Sequence, residues 1–412
     1  MRGSERRRKP SAQTAPGGRE GGGGAPRPLS VYVHIPFCLA KCGYCDFNSY
    51  AVENLISLGR AGGDWAPRYT DALLRELEGR CRSLGLEGRR AETLFFGGGT
   101  PSLLPADQTA RILEALRGRF RLAPDAEVTL EANPGASDAA RFAALGEAGV
   151  NRISIGVQSF DDEALRRLDR VHTGDEARAA FRAAREAGFR NLSLDLMFGI
   201  PFQTPGAARA DIESALELGP EHLSAYELTI EPGTAFHALH SRGELPGLPD
   251  EEAALAMWRL RDRLLARAGY ERYEISNFAR PGRRCRHNLN YWRRGEYLGL
   301  GAGAHSFIGQ KRLWNHARPD VYQAKADDPA AGEEILDDPA KALGEALMLG
   351  LRLKEGVSLP EIARSSGTDP EERFGPLFEE LGRGGLLERE DGALRLTSRG
   401  TLLANRVLAR FL

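Results

Sequence analysis

Leu29-Ser-Val-Tyr-Val-His-Ile35 runs through Pro36 and Phe37 into Cys38-Leu-Ala-Lys-Cys42-Gly-Tyr-Cys45. The first seven residues put Val31, Val33 and Ile35 at alternate positions, the two-residue period of a strand. The next eight put three thiols, spaced by four and three residues, just after that strand. One compact loop of this kind can aim three thiolates at a single centre. A cubane iron–sulfur cluster has four irons, so three cysteine ligands leave one iron unfilled. Zinc ordinarily takes four ligands, with a second Cys/His pair downstream; here the other two cysteines, Cys81 and Cys285, are single. Cys38, Cys42 and Cys45 are therefore read as ligands of a [4Fe–4S] cluster. The clustering also favours a metal site in a reducing compartment over disulfides.

Working outward from this loop, strand-like and helix-like patterns alternate. Thr93–Phe96, Glu127–Leu130, Arg152–Val157, Leu192–Met197 and His222–Tyr226 read as further strands. Tyr69–Ser83, Ala106–Arg117, Asp138–Glu147, Asp175–Glu186 and Pro205–Glu217 read as the helices between them. Six strand–helix units predict an α/β fold, a partial (β/α)6 barrel like an incomplete TIM barrel, over residues 29–270; a full eight-stranded barrel is the second choice. In such barrels the chemistry sits at the carboxyl ends of the strands. Glu251–Ala268 adds an amphipathic helix. Residues 271–335 read as an aromatic- and glycine-rich extension forming an irregular layer at the barrel mouth, with a weak linker over Asp327–Glu333. Residues 336–412 read as a small α+β unit of helices and a hairpin, resembling a winged helix. Shape alone does not make that unit a nucleic-acid binder.

The composition, 42% hydrophobic and 27% charged, is that of a globular chain. A formal net charge of −1 argues against electrostatic binding of nucleic acid by the whole chain. No apolar run is long enough for a membrane span. Residues 1–28 hold seven basic residues, two acidic residues and four consecutive glycines, and read as a disordered tail. Cys81 shares a helix face with Leu73, Leu77 and Leu84, so it reads as a core thiol. Cys285 reads as a structural or spare thiol.

Several polar residues fall where strands end. Phe96-Gly-Gly-Gly-Thr-Pro-Ser102 combines a strand end with glycines that allow close backbone approach, either to a ligand or simply within a tight turn. Glu131, Gln158 and Asp195 interrupt or close apolar strands; buried there, each needs a polar ligand or a base. Arg170 reads on its own as a helix-end base. His34, on the strand before the cluster, reads as a structural hydrogen-bonding group, and His305, in Gly301-Ala-Gly-Ala-His-Ser306, as a cap on the barrel without a ligand role.

The CxxxCxxC loop resembles the signature of the radical SAM superfamily. The longer string from Tyr32-Val-His-Ile-Pro-Phe-Cys38 to Cys45-Asp-Phe47 is similar to the branch that contains the oxygen-independent coproporphyrinogen III oxidase HemN and the heme chaperone HemW, and the likeness covers nearly all of residues 29–412. It implies S-adenosylmethionine (SAM) at the open iron. The SAM contacts it implies are Tyr32 and Tyr44 around the cluster, Gly98, Gly99 and Thr100 at the methionyl amino group, and Glu131, Gln158, Arg170 and Asp195 at the strand ends. Some of these places serve a second SAM in HemN, and one or two molecules are left open here. The HemN loop resembles CxxxCxxCxC, whereas Phe47 occupies the last of those places; a substantial region ahead of the HemN cluster is matched here only by the low-complexity tail.

His287-Asn-Leu-Asn-Tyr-Trp292 is similar to the HNxxYW motif of the HemW branch. The resemblance implies heme, with His287 as axial ligand, since imidazole is a common ligand of heme iron. Tyr291 and Trp292 would offer flat area to a porphyrin. Arg283, Arg284, Arg286, Arg293 and Arg294 would pair with propionates. The reading is a cytoplasmic radical SAM protein with a [4Fe–4S] cluster and SAM that binds heme and passes it to heme-accepting proteins. The alternative is an enzyme, a radical SAM oxidase or decarboxylase acting on a porphyrinogen. Homodimer formation is left open.

Overall fold

The computed structural model describes residues 28–57, 63–136, 138–390 and 392–412. The tail read over residues 1–28 lies outside them but for Pro28. Strand β1 (Leu29–Ile35) has six of its seven residues buried, as a strand covered on both faces must. It is followed by β2 (Phe37–Cys38) and β3 (Tyr50–Ala51), then β4 (Arg90–Gly98), β5 (Arg121–Ala132), β6 (Arg152–Gln158), β7 (Leu192–Phe198) and β8 (His222–Glu227). Strands β1, β4, β5, β6, β7 and β8 lie side by side in that order, every pairing parallel. This is the expected partial (β/α)6 barrel.

Helices Trp65–Leu84, Ala106–Arg119, Ala139–Ala148, Gly174–Glu186 and Pro205–Leu218 join the strands. The first buries Tyr69, Leu73, Leu77 and Cys81 along one face, so Cys81 is the core thiol its spacing implies, and Gly85 stops the helix in the left-handed region. Thr173 and Glu176 form a capping box at the start of Gly174–Glu186.

The barrel is open, and residues after 270 extend its sheet at both edges. Strands β9 (Glu271–Arg272) and β10 (Asn277–Ala279) add to β8 antiparallel, while β11 (Tyr297–Leu300) lies parallel beside β1 and continues into β12 (His305–Ile308), β13 (Lys311–Asn315) and β14 (Ala330–Ile335). Two expectations are corrected. The stretch read as an irregular layer supplies strands of the main sheet. The linker read over Asp327–Glu333 is largely the edge strand β14, whose residues alternate between half-buried and exposed and pair with β13.

The C-terminal unit packs helices Pro339–Gly350, Leu359–Ser366 and Pro370–Arg383 against β15 (Val357–Ser358), β16 (Leu387–Glu390) and β17 (Ala393–Leu396), an antiparallel three-stranded sheet. Its core of Leu343, Leu347, Ile362, Phe378, Leu381 and Phe411 is distinct from that of the barrel. The arrangement is the winged-helix-like one expected. Among the described residues, no helix is long and apolar enough to cross a membrane.

Candidate functional site

The cysteine loop leaves and returns at one place. Phe37 pairs with Tyr50 and Cys38 with Ala51, so residues 39–49 form a closed excursion from the end of β2. Inside it, the Cys45 amide donates to the Cys42 carbonyl at 3.1 Å. From the barrel, His34 Nε2 lies 2.9 Å from the Asn48 carbonyl oxygen, and its Nδ1 lies 2.9 Å from the Tyr32 hydroxyl. A carbonyl can only accept, so Nε2 carries the proton and Nδ1 accepts from Tyr32. Burial pushes the His34 pKa down to about 4, which keeps it neutral. The structural role expected for His34 is what these bonds describe.

Each thiol has a polar neighbour at 3.7 Å. Thr100 Oγ1 donates to Cys38 Sγ, Arg170 Nη1 faces Cys42 Sγ, and Ser49 Oγ lies against Cys45 Sγ. Burial pushes the Cys38 and Cys45 thiols up, so their thiolates need compensating positive charge, which a metal centre provides. Among the described residues, no three His, Cys, Asp or Glu side chains converge tightly enough to hold a single metal ion. A cluster does not ask for that convergence, because each thiolate binds a different iron. The donor set thus fits a cluster better than a lone ion.

The glycine turn is fastened to this loop. Gly99 N donates to Ile35 O and Thr100 N to Phe37 O, both at 2.8 Å. Gly98 has φ +116°, and a Cβ there would fall 2.5 Å from His34 Cε1. Close approach to the cysteine strand therefore requires the glycine. Asn133 was missed in the sequence: its Nδ2 donates to Thr100 Oγ1 at 2.8 Å, and its Oδ1 accepts from Arg170 Nη2 at 2.9 Å. The signal was there, a polar residue two places after Glu131 and directly before Pro134. Gln158 closes β6 with φ +65°, a strained conformation for a side-chain-bearing residue, of the kind found at ligand sites.

Cys38, Cys42, Cys45, Tyr44, Gly98, Gly99, Thr100, Glu131, Gln158, Arg170 and Asp195 all line one cavity of about 330 Å³ at the carboxyl ends of the strands. Two half-buried carboxyl groups face it. Glu131 accepts from the Gly98 amide at 3.2 Å, and Asp195 from Ser154 Oγ at 3.2 Å. Burial, and then the neighbouring Asp195, push the Glu131 pKa up to about 8; burial also pushes Asp195 up. A carboxyl whose pKa rises on folding binds its proton more tightly when folded, so stability falls as pH rises from its unfolded pKa toward 8. Glu131→Gln removes that dependence. In cofactor-free protein, the stability of the variant relative to wild type is expected to climb by up to about 1.4 kcal/mol per pH unit between roughly pH 5 and pH 8, measured by urea unfolding. A flat difference would show that Glu131 is not the group titrating.

Two expected residues lie elsewhere. Tyr32 faces a neighbouring recess of about 390 Å³, which shares Gly98 and Glu131 with the first cavity. His287 is 1% exposed. Its Nδ1 lies 2.7 Å from Thr93 Oγ1 and its Nε2 3.0 Å from the Tyr291 hydroxyl, while Phe95 stacks on the ring. Both ring nitrogens are engaged, so His287 becomes an iron ligand only by giving up one of these bonds. The arginines around it are also corrected. Arg284 pairs with Glu271 and Glu355, Arg286 with Asp125, Arg293 with Glu355 and Arg294 with Glu345, so these four are not free for propionates. Arg352 covers the Trp292 ring at 4.3 Å. Cys285 is buried, its thiol 3.5 Å from Glu127 Oε1.

Comparison with known proteins agrees with this geometry. Residues 32–215 match the radical SAM superfamily, and residues 337–403 match the HemN C-terminal domain. The heme chaperone HemW of Mycobacterium tuberculosis (strain H37Rv) is 40% identical over 94% of this chain and 95% of its own. HemW of Escherichia coli K12 is 40% identical over 93% of this chain and 98% of its own, and HemW of Bacillus subtilis 168 is 36% identical over 93% and 99%. The structure of the coproporphyrinogen III oxidase HemN from Escherichia coli, a radical SAM enzyme, superposes with a TM-score of 0.79 at 26% identity, covering 94% of this chain and 90% of that one. The chain belongs to the radical SAM superfamily and, within it, to the family of the heme chaperone HemW.

Proposed function

We propose that this protein is a heme chaperone that holds a [4Fe–4S] cluster on Cys38, Cys42 and Cys45, binds SAM in the adjoining cavity, and delivers heme to acceptor proteins. The observation that carries the reading is the 40% identity to HemW chaperones along nearly the whole chain. Phe47 supports it: its side chain is 61% exposed and ligates nothing, where the HemN loop has a further cysteine. The cytoplasm, where free thiols persist, is the compartment that suits the cysteine loop.

The chain's own residues divide the work by chemistry. Cys38, Cys42 and Cys45 bind as thiolates, and the Arg170 guanidinium beside Cys42 offsets their negative charge. Thr100 and Ser49 give the other two sulfurs hydroxyl partners. Glu131 and Asp195 present the cavity with two carboxyl groups whose burial a cation would relieve, and SAM carries an ammonium and a sulfonium. Tyr44, packed edge-on against Phe236, closes the side of the cavity next to the loop. When both are bound, cluster and SAM together supply reductive cleavage of a carbon–sulfur bond.

The test is anaerobic incubation of reconstituted protein with coproporphyrinogen III, SAM and a reductant, with a parallel sample given hemin. The expected result is no vinyl product and retained heme. Vinyl product would establish instead the oxidase reading, which the close superposition on HemN favours.

A further inference from the structure

Asp211 is a buried acid that lines neither cavity. It stands on the buried face of the helix Pro205–Leu218 with Ala208, Ile212 and Ala215. A carboxylate in such a place is costly unless donors surround it. Ser159 Oγ lies 2.9 Å from both of its oxygens, the Phe160 amide donates to Oδ1 at 2.7 Å, and Gln203 Nε2 donates to Oδ2 at 3.2 Å. Burial pushes its pKa up to about 6, so at pH 7 these donors hold a group that is mostly ionised. Two of them belong to the residues that follow directly on Gln158, where β6 ends.

The chain at Gln158 needs holding. Strands β6 and β7 shift register there: Gly156 pairs with Asp195 and Gln158 with Leu196, so β6 bulges by one residue. The Ser159 amide donates to the Val157 carbonyl at 2.9 Å across Gln158, whose φ is +65°. A hydrogen bond over two residues with a positive φ between them is the rare, strained form of the γ-turn. Such strain persists only where the surroundings over-determine it. His172 Nε2 lies 3.1 Å from the Val157 carbonyl oxygen. The helix Gly174–Glu186 starts so close that a Cβ on Gly174 would fall 2.3 Å from the Phe160 carbonyl oxygen. Of these supports and Asp211, only Asp211 bonds to two successive residues of the segment.

What the strain achieves is the direction of one side chain. Gln158 lines the cavity beside the cysteine loop. A Cβ on Gly156 would fall 3.1 Å from Gln158 Nε2, 3.0 Å from Asn133 Oδ1 and 3.4 Å from Arg170 Nη2. The glycine thus leaves room for three polar groups to meet at the cavity wall. A bulge re-aims the side chain it carries, so a relaxed, extended Gln158 would take its amide out of this trio.

We propose that Asp211 is a positioning residue for SAM: it clamps the strained turn at Gln158 and so keeps the Gln158 amide aimed into the cavity. The assignment rests on the reading that SAM occupies that cavity, and adds to it a residue outside the cavity. Gln203 extends the clamp, since its Oε1 accepts from the Ile200 amide at 3.4 Å. The turns after β6 and β7 are thereby tied together through one carboxylate.

The experiment is SAM titration of the reduced, anaerobically reconstituted full-length protein, read by EPR of the cluster. Asp211→Ala and Asp211→Asn are each compared with Gln158 intact and with Gln158→Ala. Iron content and circular dichroism identify the variants that keep cluster and fold. With Gln158 intact, Asp211→Ala is expected to raise the SAM concentration for half the spectral change about tenfold, and Asp211→Asn, which keeps one acceptor oxygen, about threefold. In Gln158→Ala protein neither should matter further, because the side chain being aimed is gone. A wild-type SAM response in Asp211→Ala, or equal weakening in both backgrounds, would overturn the assignment. The urea midpoint of the cluster-loaded protein reads the clamp without SAM. Gln158→Gly should unfold at higher urea than Gln158→Ala, since glycine adopts positive φ freely, and that gap should close once Asp211 is replaced. An unchanged gap would also overturn the assignment. Where Asp211→Ala loses its cluster, Asp211→Asn decides by the same two comparisons. A wild-type spectrum indifferent to SAM would overturn the SAM reading, and with it the purpose assigned to the clamp.

Discussion

Cys42→Ala protein, prepared and reconstituted without oxygen, is expected to hold no cluster. Two thiolates cannot fix a cubane that ordinarily takes three from this loop, so iron should fall from about four per chain to a trace, with the visible absorbance lost. The Arg170 guanidinium, 3.7 Å from Cys42 Sγ, would face no sulfur, and the cavity that Glu131 and Asp195 share would lose the group that anchors SAM. Because metal binding and local folding are linked, the excursion over residues 39–49 should also become more open to proteolysis. Cys81→Ala is the matched control. Its thiol is fully buried in the barrel core, away from the loop, so the variant loses some packing and keeps its iron. Equal iron in wild type and Cys42→Ala would mean that the metal is held elsewhere.

Glu76→Ala is expected to be the most destabilising change outside the cysteine loop. Glu76 is fully buried on the helix Trp65–Leu84. It accepts from the Tyr322 hydroxyl at 2.5 Å, Asn315 Nδ2 at 2.6 Å and the Gly301 amide at 2.7 Å, and it pairs with Arg80. Burial pushes its carboxyl up, and those donors pull against the shift. Alanine would take an acceptor from three donors and the counter-charge from the nearly buried Arg80, which would keep only its bond to Asn315 Oδ1, a loss of about 3–5 kcal/mol. The measurement is urea unfolding of the cofactor-free chain. Glu76→Gln keeps an acceptor and should lose less. A loss below about 1 kcal/mol, the value of an ordinary hydrogen bond, would show that the cluster of donors is satisfied without Glu76.

The barrel was legible because burial on both faces leaves a simple mark. Leu29–Ile35 was read with its observed bounds, and Arg152–Val157 one residue short of β6. The amino-terminal ends of β4 and β5 were missed because Arg90, Asp125 and their neighbours are partly exposed and break the apolar run. Strand β14 was read as a linker because Ala330-Ala-Gly-Glu-Glu-Ile335 has weak strand propensity, which pairing with β13 overrides. That β11 lies beside β1 depends on a pairing between distant segments, and nothing local in Tyr297–Leu300 encodes it.

The site divides in the same way. The cysteines, the glycine turn, Glu131, Gln158 and Asp195 were legible because they follow, close or interrupt strands whose ends the topology brings together, whereas Tyr44 and Arg170 were implied by the family resemblance alone. The surroundings of the HNxxYW segment were not legible because its partners come from elsewhere in the chain. Thr93 and Phe95 of β4 enclose His287, and Glu355 and Asp125 take the arginines that looked free.

The most direct test is EPR of the reduced, anaerobically reconstituted protein with and without SAM. If three thiolates hold the cube and its fourth iron is free to take SAM, adding SAM should change the cluster spectrum, and the change should vanish in Cys42→Ala. A spectrum indifferent to SAM, or a protein that holds zinc in place of iron, would contradict the account.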